Sequence, residues 1–325
     1  MLSEGVFLLT QSRRPGTHAD PESSLGSQPG KASGEDFTGP SINLGLILAT
    51  IPYALVHLAC FAVFWTGVSV DAVLVCFLAY VVRMFGVTAG YHRYFAHRAF
   101  KTSRVFQFVL ALLATSSAQL GPLWWAATHR HHHSSSDTVQ DPHSPKHHGF
   151  LWSHMGWFLH PNHRKPNHNA IRDYAKFPEL VFVDKWSLIA PTILAFSTYG
   201  LGYILQQQGR PTSPMQMLIW GFFVSTVLLY HGTYTINSLS HLFGTQRFVT
   251  GDDSRNNPLL AIITLGEGWH NNHHHYQSSC RQGFYWWEID FTFMTLSLLS
   301  WFGLVWDLRP VPDSIYAEAK ARKTT

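Results

Sequence analysis

Residues 105–133 read VFQFVLALLATSSAQLGPLWWAATHRHHH, an uncharged apolar run that closes on His129, His132 and His133. Hydropathy alone would let Val105 to Ala127 cross a bilayer, for which roughly 20 apolar residues suffice. Two more histidines, His92 and His97 in HRYFAH, stand just before the run. If the run crossed, the two sets would lie on opposite faces, about 30 Å of hydrocarbon apart. A shared metal centre forbids that. The stretch is therefore expected to be a re-entrant or interfacial helix, broken at Gly121-Pro122 and carrying Gln107, Thr115, Ser116, Ser117 and Gln119.

The case for a metal rests on spacing. His241 in NSLSH and His270, His273 and His274 in HNNHHH bring the set to nine histidines in four clusters. Residues three and four apart share a helix face, so each H-x-x-H-H trio is expected to aim three imidazoles at one place, and Asn237 to share a face with His241. His92 and His97 are five apart, about 140° on an ideal helix. They converge only if the second span ends between them, or if they serve different metals. Neutral imidazole binds Zn, Cu, Fe and Ni, and nine ligands exceed the three or four of one zinc site, so two ions are expected. Carboxylate di-iron bundles use paired Glu-x-x-His motifs. The one candidate here, Glu267 to His270, is flanked by Gly266 and Gly268, which leaves an all-nitrogen pair of irons suited to binding dioxygen. Asp141, Glu267 and Asp290 are the carboxylates expected to hold the rings in the right tautomer. His57 and His231, alone in apolar spans, read as hydrogen-bonded core residues. His143, His147, His148, His154, His160, His163 and His168 read as solvated or as supporting the ligands.

The chain of 325 residues is 46% hydrophobic, yet its mean hydropathy is −0.01, because membrane-length stretches alternate with polar ones. It is expected to be an all-α polytopic membrane protein with four transmembrane helices, at 42–66, 72–90, 188–205 and 215–236, and interfacial or re-entrant helices under a cytosolic histidine-rich di-iron cap. Lys and Arg decide the orientation: three in the tail, eleven from Tyr91 to Lys185 and seven after Asn237, against Arg210 alone in the two short connections. Both termini and the large loop are expected on the cytoplasmic side. Phe284 to Trp306 reads as interfacial. Residues 1–40, rich in Pro, Gly and Ser, read as a disordered tail, 41–311 as the membrane domain with its cap, and 312–325 as a C-terminal tail. Cys60, Cys76 and Cys280 form no CxxC pair, which argues against a disulfide scaffold. A metal transporter is disfavoured, since the spans hold only His57, Arg83 and His231 as prominent ionisable groups and no carboxylate pair.

On these residues the chain resembles the membrane fatty-acid desaturases, specifically the stearoyl-CoA (delta-9) type in its bacterial branch. TAGYHRYFAHRAFKTS is similar to that family's first histidine box, HRHHH followed by DPHSPKHHGFLWSHMGW to its second, and LGEGWHNNHHHYQ to its third, with NSLSHLFG supplying one more ligand. The resemblance implies two ferrous ions held by His92, His97, His129, His132, His133, His241, His270, His273 and His274, with Asn237 reaching a metal through water. It implies O2 and two external electrons inserting a cis double bond at the delta-9 position. The substrate class is a saturated acyl chain on CoA, on a membrane lipid or on acyl carrier protein. No nucleic acid is involved, and electrons are expected from a separate ferredoxin- or cytochrome b5-type donor with its reductase. The bacterial inner membrane is favoured over the endoplasmic reticulum. The implied bent tunnel is expected to be lined by Trp125, by Tyr234 in place of a tryptophan, and by Thr88, Met84 and Tyr80, reached by helical steps from His92. Leu120, Gly121, Ala127 and Thr128 stand where acyl-CoA enzymes carry polar residues that grip the CoA head. His131 and His275 fall where the family carries other residue types. A related di-iron lipid hydroxylase or ketolase shares the same boxes and is the alternative activity.

Overall fold

The computed structural model describes residues 44–164 and 167–322; the expected N-terminal tail lies outside them. Helices dominate. Three are long and apolar enough to cross a membrane: α1 (Leu44–Thr66), α2 (Val70–Ala96) and, later in the chain, Pro214–His241. Between them come α3 (Arg104–Thr115), α4 (Pro122–Ser135), α5 (Pro178–Lys185) and α6 (Ile189–Gln207). Then follow α7 (Pro214–His241), the short α8 (His270–His275), α9 (Phe291–Trp301) and α10 (Asp313–Ala321). The expected span at 188–205 passes the length-and-hydropathy test only as the pair α5 and α6, bent by 67°. The outward residues of α1, including Leu48, Leu55, Leu58 and Phe61, are all more than half exposed, a belt that water would not tolerate and lipid would.

The run 105–133 does not form one helix. α3 has 12 residues, about 18 Å, too short to cross. It lies close against α2 because Gly86 and Gly90 face it: a Cβ on Gly86 would meet Leu113 and the Ala114 nitrogen at 2.9 Å. The chain then turns through an elbow, where Ala118 and Leu120 take positive φ values of 58° and 63°. Both carbonyls of this elbow are pinned, Ala118 by the Tyr230 hydroxyl at 3.0 Å and Leu120 by the Tyr91 hydroxyl at 2.6 Å. α4 starts at Pro122, and its free amides at Leu123 and Trp124 donate to the Asp184 carboxylate on α5 at 2.9 and 3.0 Å.

α2 changes character midway: Gly86–Ala96 is a π-helix, and the His97 amide donates to the His92 carbonyl at 3.1 Å. Hydrogen bonds here span five residues, so a turn takes more residues than in an α-helix. At the far end, Lys101–Thr102 pairs antiparallel with Val305–Trp306, which closes the chain after α9 onto the start of α3. α9, 11 residues long, is likewise too short to span. Residues 313–321, expected to be tail, form α10, whose Ile315, Tyr316 and Ala319 pack with Phe248, Phe284 and Val311. The three cysteines are free. His57 and His231 are hydrogen-bonded: His57 donates to the Tyr53 carbonyl (2.8 Å) and meets His231 at 3.3 Å, and His231 meets His154 at 2.9 Å.

Candidate metal centre

The nine histidines meet in two adjacent clusters. His92, His97, His129, His133 and His273 form one, His132, His241, His270 and His274 the other, and within each the ligand nitrogens lie within 4.8 Å of one another. The expectation that each H-x-x-H-H trio serves one place does not hold. In α4, His129 and His133, one turn apart, go to the five-histidine cluster while His132 goes to the other; in α8, His270 and His274 go to the four-histidine cluster while His273 crosses over. The two short helices lie between the clusters and feed both. His92 and His97 reach the same cluster without the span ending between them, because the π-helical turn stacks residues five apart.

Behind the rings stand carboxylates. His132 Nδ1 donates to Asp141 at 3.0 Å, His241 Nδ1 to Asp137 at 2.8 Å, and His274 Nδ1 to Asp252 at 2.6 Å. His92 Nδ1 contacts Glu267. Asp290 touches no ligand ring. It pairs with Arg93, which also binds Glu267 and the Cys280 carbonyl, and it caps α9 through the Phe293 amide. Asp137 and Asp252 were not anticipated. The signal for Asp137 is rarity, since only 13% of residues are charged and DTVQDPH places acids just after HRHHH, whereas GDDS stands apart from every histidine cluster in the sequence. His143 is also deeper than expected, buried and grouped with His132 and Asp141. His131 points away, to the Gln140 carbonyl at 3.2 Å, and His275 stacks on Phe248 and reaches Glu318 at 2.9 Å.

The electrostatics keep six of the imidazoles free of extra protons. Burial, reinforced by neighbouring histidines, pushes His97, His129, His133, His270 and His273 well below the usual histidine range. His274 is pushed down to about 4 by burial despite Asp252. His132 goes the other way: burial lowers it, and Asp141 more than compensates. Burial would raise Glu267, but His92 and Arg93 bring it down to about 2. Asp137, Asp141 and Asp252 are likewise held low against burial, by their histidine partners and by further donors such as Ser144 and Ser254.

The donor set fits two cations. Where Nδ1–H goes to a carboxylate, Nε2 must carry the lone pair. The ring nitrogens converge: Nε2 to Nε2 distances are 3.0 Å for His92–His273, His97–His129, His129–His133, His133–His273 and His241–His270. His274 Nε2 is buried with no hydrogen-bond partner among the described residues. A cation placed among these nitrogens would take their lone pairs together, and imidazole alone suits iron, zinc, copper or nickel.

An apolar cavity of about 350 Å³ touches this centre at His129 and runs between α1, α4, α6 and α7, with Tyr53, Val56, Trp125, Ala195, Phe222, Tyr230, Tyr234 and Asn237 among its walls. Gln119 bridges to Thr233 across one side at 3.1 Å. Tyr80, Met84 and Thr88 are not part of it. Tyr80 and Met84 pack against Gly232 of α7, where a Cβ would meet their tips at 2.7 and 3.0 Å, and the Tyr80 hydroxyl donates to the Ile263 carbonyl. Thr88 bonds to Thr292 at 2.7 Å. The helical steps that pointed to these residues run through the π-helical segment, where a turn takes more residues and the face rotates away.

Comparisons with known proteins agree with this geometry. Residues 69–293 match the family described as fatty acid desaturase. The chain is 37% identical over 278 residues to the sn-1 stearoyl-lipid 9-desaturase of Anabaena variabilis, covering 84% of this chain and 96% of that protein. It is 36% identical over 250 residues to the protein of the same name from Synechocystis sp., covering 77% and 75%. It is 34% identical over 261 residues to acyl-CoA 5-desaturase AL21 of Anemone leveillei, covering 78% and 73%. With the histidine clusters, the apolar helices and a match across most of both chains, this protein belongs to the bacterial type of membrane fatty acid desaturases and is an oxidoreductase that desaturates fatty acyl chains.

Proposed function

We propose that the chain is a four-span, inner-membrane acyl-lipid desaturase that introduces a cis double bond at the delta-9 position, with its histidine cap on the cytoplasmic face. The observation that carries the reading is the adjacency of two all-imidazole clusters to an apolar cavity. His92, His97, His129, His133 and His273 would hold one iron, and His132, His241, His270 and His274 the other, with Asn237 able to reach the second through water. When bound, the pair supplies the oxidising power needed to remove hydrogen from an unactivated methylene. The chain's own residues supply position. An acyl chain has no polar handle near its middle, so its reacting carbons are set by how deep the cavity lets it go past Trp125 and His129, with water excluded. Asp137, Asp141, Asp252 and Glu267 hold Nδ1 protonated and the rings oriented, so that Nε2 carries the lone pair.

Overall, two hydrogens leave the chain and dioxygen, two external electrons and two protons become two waters. The electrons come from a separate ferredoxin- or cytochrome b5-type protein. The acyl-lipid carrier is supported by the names of the two cyanobacterial relatives and by the buried, unpolar Gly121 and Ala127 at positions where a CoA head would need donors. Expression in a host lacking unsaturated fatty acids, with mass-spectrometric location of the new double bond in intact lipids, tests activity, position and carrier together. Two irons per purified chain, and cysteines near Lys101 and Ser134 both labelled from the cytoplasmic side, are the expected accompanying results.

A further inference from the structure

The cavity wall is uneven, and its weak side faces the bilayer. On the inner side Trp124, Tyr230 and Tyr234 are buried at 5 to 6% exposure. On the outer side Pro52 of α1 and Thr192 of α6 line the same cavity while exposed, and Leu188, just before α6, is 74% exposed. These residues belong to two different helices and lie where α1 and α6 face lipid, so the cavity opens between them. At its rim stands one cation, Arg164, exposed and with no carboxylate in reach among the described residues. The segment carrying it is fixed from within: the Trp124 indole donates to the His163 carbonyl at 2.7 Å.

We propose that this gap is a lateral portal, through which an acyl chain still esterified to a membrane glycerolipid enters sideways, and that Arg164 meets the anionic headgroup. The proposal rests on the acyl-lipid reading above. A chain entering this way never leaves the hydrocarbon: its headgroup stays at the interface and its partner chain stays in the bilayer, so only the reacting chain changes neighbours, from lipid to Tyr53, Val56, Pro191 and Ala195. A chain delivered from water would instead have to enter from the cap side, past Leu159 and Arg164.

The test is photo-crosslinking of the full chain in nanodiscs doped with a phosphatidylglycerol whose sn-1 chain carries a mid-chain diazirine, read by peptide mass spectrometry alongside desaturation of the same lipid. Expected are adducts on 52–56 and 188–195, their near-complete loss in Thr192→Trp, and retention in Thr192→Val. Arg164→Ala should weaken labelling by the anionic lipid about fivefold, the attraction of one basic residue to an anionic membrane surface, and leave phosphatidylcholine labelling unchanged. Leu188→Trp, at an exposed edge that cannot disturb the core, repeats the block should Thr192→Trp lower the melting temperature. Adducts confined to other faces, or a lipid signal indifferent to both tryptophans, would overturn the portal. So would turnover of soluble stearoyl-CoA with cavity labelling by it and none by the lipid, which leaves the desaturase reading intact. Portal labelling without any desaturated product would instead condemn the reaction assigned to the site.

Discussion

The two histidine clusters are built to different standards. In the four-histidine cluster, His132, His241 and His274 each rest on their own carboxylate, and each carboxylate is held by further donors. In the five-histidine cluster, His92 alone rests on a carboxylate, and His133 and His273 have buried Nδ1 atoms with no hydrogen-bond partner among the described residues. The better-braced cluster lies deeper; the other offers His129 to the acyl cavity and His97 and His133 to a solvent-facing cleft lined by Arg98, Arg130 and Arg309. Bracing is thus concentrated on the cluster away from the cavity, while the one that touches it has fewer carboxylate partners. Carboxylate backing raises ligand basicity and fixes ring orientation, so the four-histidine cluster should bind its ion more tightly.

The largest expected effect would erase the comparison. His129→Ala and His273→Ala on one side, and His132→Ala and His270→Ala on the other, should each abolish desaturation while leaving membrane insertion intact; robust activity in any of them, measured by fatty-acid profiling, would remove that residue from the centre. Next come the braces. Asp137→Asn and Asp252→Asn should each weaken metal affinity roughly 10- to 100-fold, as loss of a ligand's hydrogen-bond partner does elsewhere, and the loss should fall on the four-histidine cluster. Metal titration followed by Mössbauer spectroscopy distinguishes the two environments. In the unaltered protein, the five-histidine cluster should exchange its ion for added 57Fe faster than the four-histidine cluster, and the reverse order would break the argument. A smaller effect concerns the cavity. Phe222→Ala should shift preference toward longer acyl chains, whereas Met84→Ala and Tyr80→Ala should leave the chain-length profile alone, because their side chains press on Gly232 and not on the cavity. Smallest of all, His131→Ala should change stability by no more than about 0.5 kcal/mol, as for surface substitutions generally, and spare activity.

The clustering of the nine histidines is legible because histidines at i, i+3 and i+4 are rare by chance and the helix makes them neighbours. Their division between two clusters is not, since it depends on α4 and α8 facing one another, a long-range arrangement with no local signature. The convergence of His92 and His97 hid behind helix type: ideal α geometry sets them apart, and nothing local announces that Gly86–Ala96 is π-helical. The same shift leaves Tyr80 and Met84 outside the lining of the cavity beside His129. Of the braces, Asp141 and Glu267 were named, while Asp137 and Asp252 come from loops whose path only the packed cap determines. The non-spanning reading of residues 105–127 rested on ligand placement overriding hydropathy, and the break after Thr115 accords with it.

Because α4 and α8 each lend ligands to both clusters, neither metal position can be assembled alone. Ordering α4 around a first ion fixes the backbone that presents the ligand for the second, and α8 does the same in reverse. The entropy of arranging the two helices is therefore met once, by whichever ion arrives first, and thermodynamic linkage requires the benefit to be mutual. Loading should be sigmoidal in metal concentration, and partially starved cells should contain chains with two ions or none in preference to chains with one.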